Sequence, residues 1–520
     1  LVVLKMLPFD NKSELQVVVD LPEVRTLEDT AALLTELTAA LEQVPEVRDW
    51  QAYAGTAAPI NFNGLVRQYD LRAGANVGDL QVNLVDRRER SRKSHDIAVA
   101  LRPELAAIGH AHGASVKVVE VPPGPPVLSP IVAEVYGPDY AAQRRIGRAL
   151  EQRFLATDGI VDVDTSVEAD AVREVLVIDR DRAARLGVSQ ADIADTIAAG
   201  LAGHDATHVI DHFSKYPRPV RLRLPVADQA TTAGVLALRV RGGNGQLVPL
   251  SELVEVRQAG WDGAIHHKDL LPVVYVMGDE SSHIDSPLYG MFNLVGQVSD
   301  NLVEGHELSQ HYIAQPADTA GFAVKWDGEW QITYETFRDM GIAYAVGLVL
   351  IYLLVVAWFR NYVVPLVIMA PIPLTVIGVM PGHALLGMQF TATSMIGMIA
   401  LAGIIVRNSI LLVDFINHTP RAGRTLTEVL IEAGAIRFKP ILLTGIAAMI
   451  GAGVILADPI FQGLAISLLF GVASSTLLTV LVIPVIYRSP VAQSCSGASS
   501  AASRSISASY RAFSRDKARS

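Results

Sequence analysis

Arg407 is the residue with the most chemistry to offer. It sits in Ile404-Ile405-Val406-Arg407-Asn408-Ser409-Ile410-Leu411-Leu412-Val413-Asp414-Phe415, one of the most apolar stretches of the chain. A charge near the middle of a membrane helix costs about 2.5 kcal/mol or more, so such a residue normally faces a partner inside a bundle and marks an ion or proton path. Arg407 lies about eight residues, or about 12 Å, from the end of its predicted span, which is far for its head to snorkel to the interface. A buried lysine can lose its proton, whereas a guanidinium essentially cannot. Arg407 therefore reads as a fixed charge that needs an anionic partner. Asp414, seven residues on, falls two turns along the same face. It is a candidate proton exit at the cytoplasmic mouth, or a polar helix end among headgroups.

Other residue types offer less. His204, His208 and His212 recur every four residues, the spacing that on a helix lets neutral imidazoles bind zinc. Polar contact is the simpler reading of that run, and no residues are assigned to a metal or a cofactor. One cysteine, Cys495, excludes an internal disulfide and a cysteine-based metal cluster. Between residues 8 and 339 only Met277 and Met291 offer thioethers, which disfavours a carrier of soft cations such as Cu(I). There is no P-loop, H-E-x-x-H or G-x-S-x-G to suggest hydrolytic catalysis. A net charge of −10 gives no reason to expect nucleic acid as a partner.

The elements that must position Arg407 divide the 520 residues into two parts. Half the residues are hydrophobic and the mean hydropathy is +0.33, but residues 340–488 hold most of the apolar runs. Five segments, about 340–359, 363–386, 390–416, 440–457 and 460–487, are long enough to cross a bilayer. Arg360, Arg421, Arg424, Arg437, Lys439 and Arg488 all fall on one side of them, while Met388-Gln389 and Asp458-Pro459 carry no positive charge. The positive-inside rule puts that basic side in the cytoplasm and residues 8–339 outside it. The loop 417–439 is amphipathic and predicted to lie on the inner face as a helix. Pro371 and Pro373 are expected to kink the second span, and Gly397, Gly403, Gly445, Gly451 and Gly453 to permit close helix packing. Leu1 to Leu7 reads as the stub of another spanning helix.

The outer part repeats a pattern. Strands at Leu15–Asp20, Val47–Ala54, Asp79–Asp86 and Ser115–Val121 alternate with helices at Thr26–Gln43 and Ser94–Ile108. That is the split β-α-β-β-α-β arrangement. After the joint Pro122-Pro123-Gly124-Pro125-Pro126 it begins again. Strand Ile131–Tyr136, helix Tyr140–Leu155 and strand Ile160–Ser166 are followed, past an insertion, by strand Val273–Met277, helix Pro287–Leu302 and strand Phe322–Trp326. The predicted fold class is thus α/β, two tandem ferredoxin-like units with the second split by an insertion, followed by an all-α bundle of five transmembrane helices. Residues 489–520, rich in Ser, Ala and Arg, read as a disordered tail.

The run Leu401-Ala402-Gly403-Ile404-Ile405-Val406-Arg407-Asn408-Ser409-Ile410-Leu411-Leu412-Val413-Asp414-Phe415 and the run Arg437-Phe438-Lys439-Pro440-Ile441-Leu442-Leu443-Thr444 resemble the C-terminal half of a resistance-nodulation-division (RND) efflux transporter of the multidrug type. Lys5-Met6-Leu7-Pro8-Phe9-Asp10-Asn11-Lys12-Ser13-Glu14 and Phe359-Arg360-Asn361 carry the same likeness. The resemblance implies a bacterial inner-membrane, proton-driven drug antiporter with a large periplasmic domain, and no enzymatic activity. It implies a homotrimer that works with a periplasmic adaptor and an outer-membrane channel, moving protons and small amphiphilic substrates. The parts would be the end of a transmembrane helix at 1–7, a first porter subdomain at 8–126 and a second at 127–170 and 263–339. The docking (funnel) insertion would be 171–262, the five helices 340–488 and the tail 489–520. Arg407, Asn408 and Thr444 match the family's proton relay. The aspartate pair they would face belongs to a missing N-terminal half. Where this chain has Arg407 the family usually has lysine. Phe62 is a candidate for the substrate cleft. A metal-cation exporter of the same fold and a non-transporting half-protein are the alternatives.

Overall fold

The computed structural model describes residues 2–121, 124, 126–229, 231–281, 286–419 and 423–488. The Ser/Ala/Arg tail, Arg421 and three prolines of the joint (Pro122, Pro123 and Pro125) lie outside the described residues. The chain divides into two compact units, one formed by 1–168 with 265–520 and the other by Ala169–Ala264.

The first lobe of the larger unit runs β1 (Glu14–Asp20), α1 (Leu27–Leu41), β2 (Val47–Thr56), α2 (Phe62–Arg67), β3 (Ala73–Leu84), α3 (Ser94–Ala111) and β4 (Ser115–Val119). Its antiparallel sheet has the order β2-β3-β1-β4. Helix α1 starts where Thr26 and Asp29 close a capping box, which satisfies two otherwise orphaned N–H groups. Leu33, Leu37 and Leu41 on α1 and Ile97, Leu101 and Leu105 on α3, spaced for one helical face, close over Leu15, Val17, Val19, Leu80 and Val82. Val18 is buried as well, so β1 is covered on both faces. There Asp79 accepts from Gln16 at 2.8 and 3.0 Å and from the Ala58 N–H at 3.0 Å, and burial raises its pKa above the usual carboxylate range.

The second lobe opens with β5 (Ile131–Tyr136), α4 (Tyr140–Ala156) and β6 (Ile160–Thr165). The smaller unit then intervenes, with β7 (Val172–Ile178), α5 (Arg180–Arg185), α6 (Gln190–Leu201), β8 (His204–Val209), β9 (Arg218–Leu222), α7 (Val226–Gln229), α8 (Thr232–Leu236), β10 (Arg239–Arg241), β11 (Leu247–Pro249) and β12 (Val254–Gly260). It has a core of its own around Ala183, Ile193, Val240, Leu250 and Leu253. His204 and His208 lie here on a strand, with β8 and β9 pairing as an exposed hairpin, and His212 lies in the turn between them. Four residues along a strand cover about 13 Å, so His204 and His208 do not converge as they would on a helix.

The second lobe resumes with β13 (His266–Lys268), β14 (Leu271–Glu280), α9 (Pro287–Asp300), β15 (Ser309–His311) and β16 (Ala323–Gly328). The sheet order is β13-β14-β5-β16-β15, and β6 also pairs with β14. Ile146, Leu150 and Phe154 of α4 pack on Val135, Val274, Val276 and Trp326, with Met291 and Leu294 of α9 in the same core.

Five helical segments long and apolar enough to cross a membrane follow among the described residues. They are α10 (Glu329–Phe359), the broken series α11 (Val364–Met369), α12 (Pro371–Leu374) and α13 (Val376–Leu385), then α14 (Ala392–His418), α15 (Leu426–Ile455) and α16 (Gln462–Tyr487). The breaks fall at Ala370, before Pro371, and at Thr375, two residues after Pro373, because proline lacks the N–H that would continue the helix and its ring crowds the preceding turn. Two expectations are corrected. Residues 426–439 do not form a separate surface helix but the first turns of α15, which runs on through Pro440. Residues 2–7 are not helical. They lie extended beside the start of α14, with the Phe390 N–H donating to the Val3 carbonyl at 2.8 Å and the Lys5 N–H to the Phe390 carbonyl at 3.2 Å.

Candidate functional site

Helix α14 carries the charge. It begins with a capping box in which Thr391 and Ser394 satisfy each other's backbone N–H groups, and it runs for 27 residues, about 40 Å. Leu401, Ile405, Asn408, Leu412 and Ile416 form its buried face. Glycines let that face approach α16 closely. A Cβ on Gly397 would lie 2.7 Å from the Ser467 Cβ, and one on Gly471 would lie 2.3 Å from a Leu401 methyl.

The opposite face is open. Ile396, Ala400, Gly403, Arg407 and Leu411 follow the three-and-four spacing of one helical stripe, and all are exposed. Arg407 forms no ion pair or hydrogen bond among the described residues. A guanidinium on a face left to lipid would be costly. Ala400 and Gly403, two turns and one turn before Arg407, leave room for another helix to come close.

The other predicted residues fall elsewhere. Asn408 is buried, since consecutive helical residues point about 100° apart. Thr444 is exposed on α15 and its hydroxyl donates to the Ile441 carbonyl at 3.0 Å. Arg407, Asn408 and Thr444 are therefore not joined by hydrogen bonds within this chain. Asp414 is half-buried and faces His418 of the next turn at 3.3 Å. Phe62 lies at the first position of α2, where Asn61 caps the helix through the Gly64 N–H, and it is 51% exposed. Arg437 stacks its guanidinium on Phe415, 4.9 Å from the ring centre, tying α15 to α14 by a cation–π contact.

One polar residue of the bundle escaped the reading of the sequence. His383 of α13 is fully buried, with Nδ1 2.9 Å from the Val379 carbonyl and Nε2 2.9 Å from Ser394 Oγ. Nδ1 must carry the proton to donate to a carbonyl, and Nε2 then accepts from the serine. His383 so pins α13 to the capped start of α14. The signal was available: an ionisable residue inside an apolar span invites the question asked of Arg407.

A long α/β region, a bundle of apolar helices and a charge on an open helical face together describe a membrane transport protein. The family comparison agrees: residues 2–489 match the AcrB/AcrD/AcrF family, and the chain belongs to this family of RND efflux transporters. Its relatives include the swarming motility protein SwrC of Bacillus subtilis (strain 168), 24% identical over 68% of this chain and 32% of that protein. The multidrug resistance protein MdtC of Serratia proteamaculans (strain 568) is 25% identical over 67% of this chain and 33% of that protein. The cobalt-zinc-cadmium resistance protein CzcA of Cupriavidus metallidurans is 23% identical over 70% of this chain and 33% of that protein. Among solved structures, a heavy metal efflux pump superposes with a TM-score of 0.76 at 20% identity, covering 94% of this chain and 48% of that one. The chain aligns with about a third of the length of these curated relatives and about half of the solved pump.

Proposed function

We propose that this chain is the C-terminal half of a proton-driven inner-membrane exporter of small amphiphilic compounds. The observation that carries the reading is Arg407 on the exposed stripe of α14, with no partner among the described residues. A guanidinium keeps its charge at any physiological pH. Its partners must then be carboxylates on the missing half, and proton binding to them would release the ion pair and change the helix packing. Thr444, Asn408 and Asp414 are the residues of this chain assigned to the same relay and its cytoplasmic exit. The two outer lobes are read as ferredoxin-like porter subdomains on the periplasmic side, a reading supported by the β2-β3-β1-β4 order of the first. The inserted unit is read as the docking part of a trimer that meets an adaptor and an outer-membrane channel.

Two methionines bear on the cargo. Met291 is fully buried in the second lobe's core, and Met277 lines the closed joint between the lobes. Neither is placed to pass a soft cation along a surface, which favours drug over soft metal. The likeness to CzcA keeps a metal-cation exporter as the second reading.

The test is proton-gradient-dependent efflux in cells that express this chain with its complementing half. Dye export that collapses with an uncoupler and is lost in Arg407→Ala is the expected result. Equal export with alanine at 407 would refute the relay. Resistance to zinc or cobalt in place of dye would establish the second reading, and no export of either would leave a scaffold.

A further inference from the structure

The two outer lobes meet edge to edge without a shared core. Each has its own apolar cluster, and the facing edge strands β4 and β6 lie side by side without pairing into one sheet. Charges hold them instead. Lys117 of β4 bonds Asp20 of its own lobe at 3.0 Å and also Asp164 of β6 in the other. Arg102 of α3 donates to Asp162 of β6 at 2.9 Å, and Arg67 of α2 lies 3.5 Å from Asp279 of β14. The space enclosed among these groups is only ≈ 10 Å³, no more than one water. The joint is shut against any ligand.

Asp162 is placed there by a distortion. Val161 pairs with Asp279 and Asp164 with Met277, so two residues of β6 oppose the single Gly278. Asp162 takes up this bulge with φ of +51°, a conformation uncommon outside glycine. Bulges re-aim side chains, and this one turns a carboxylate into the joint, where it is 9% exposed.

We propose that this joint is a proton-biased latch: Lys117 with Asp164 and Arg67 with Asp279 hold β4 against β6, while the buried Asp162 carboxylate, whose desolvation costs more than its contact with Arg102 returns, opposes closure until it takes up a proton. Facing Asp162 are Arg102 on α3, Lys117 on β4, Arg67 on α2 and Asp279 on β14, with Tyr69 beside Arg67 and Asp164 on its own strand. Glu151 of α4 acts on Asp164. Burial outweighs the pull of Arg102, and Asp279 adds to it, so the Asp162 carboxyl is raised to about 6. When the lobes part it is solvated and returns towards its ordinary range. A group whose pKa is higher in the closed state stabilises that state at low pH, and the effect is lost as pH rises through about 6. Between about pH 7.5 and about pH 5 the closed-to-open ratio should rise about tenfold.

The experiment reads lobe separation rather than transport, so it can fail while the exporter reading stands. Spin labels are placed at exposed Ala32 on α1 and Asp300 on α9 in the full chain, with Cys495→Ser, in lipid nanodiscs. Pulsed electron paramagnetic resonance then gives the distance distribution at the two pH values. The short-distance population should grow on acidification, Asp162→Asn should remain short at both, and Lys117→Met should shift towards long distances. A wild-type distribution that ignores pH overturns the proton bias, as does an Asp162→Asn protein that still responds fully. Should Asp162→Asn fail to fold, the wild-type titration and Lys117→Met decide, and an unshifted Lys117→Met distribution removes the latch.

Discussion

Single residues separate into those that serve this chain's own fold and those that serve something outside it. On the proposed reading Arg407 is of the second kind: it is exposed and forms no ion pair or hydrogen bond among the described residues. Arg407→Ala should therefore change the stability of the isolated chain by no more than about 0.5 kcal/mol, measured by thermal unfolding in detergent, while abolishing coupled export. A large loss of stability would mean that its role is structural. Lys117 is of the first kind. Burial opposes its charge, but Asp164 and Asp20 outweigh that and hold its pKa up. In turn Lys117 and Arg72 overcome the burial of Asp20 and hold it down at about 2. Asp20 thus contributes stability above its ordinary pKa, and the contribution is lost as pH falls through about 2. Asp20→Asn leaves Lys117 with one counter-charge, and urea unfolding at neutral pH should register a loss of roughly 3 kcal/mol.

Among the elements, α14 bears most on function. Its packing on α16 relies on glycine at 397 and 471, where a Cβ would strike Ser467 and Leu401. Gly397→Leu should separate the two helices and cost about 1–3 kcal/mol, seen as a lowered melting temperature of the solubilised chain. An unchanged melting temperature would show that the contact is not tight. The glycine reading of the sequence was partly right on this point: Gly397 and Gly445 meet neighbours, whereas Gly403, Gly451 and Gly453 have open space where a Cβ would go. Those three are on faces that this chain leaves bare, and a single sequence does not say which side of a helix has a neighbour. In the α/β lobes, Phe154 lies at the centre of the second core and stacks on Trp326 at 6.4 Å. Phe154→Ala should cost about 3–5 kcal/mol.

At the scale of the molecule, the smaller unit, 169–264, has a separate apolar core. Expressed alone, it should unfold cooperatively and give a dispersed amide spectrum, and a collapsed spectrum would show that its core depends on the larger unit. Much of the α/β region could be read from alternation and helical spacing. β5 appears at Ile131–Tyr136 as predicted, and most other element ends shift by one to four residues, as ends fray and caps set the limits. The second span was legible as broken because proline acts locally. The run into α15 was not, because whether an amphipathic stretch stops at a membrane surface or continues through it depends on what surrounds it. The sequence by itself determined that a charge sits in an apolar helix and that α/β lobes precede an apolar bundle, since period and hydropathy are properties of neighbours along the chain. Only the tertiary structure decided that Arg407 faces outward while Asn408 faces in, that His383 pins the start of the same helix, and that Arg102, Lys117 and Asp162 meet between two lobes. Those depend on contacts between residues far apart in the chain, and no local pattern encodes which distant surface a side chain will meet.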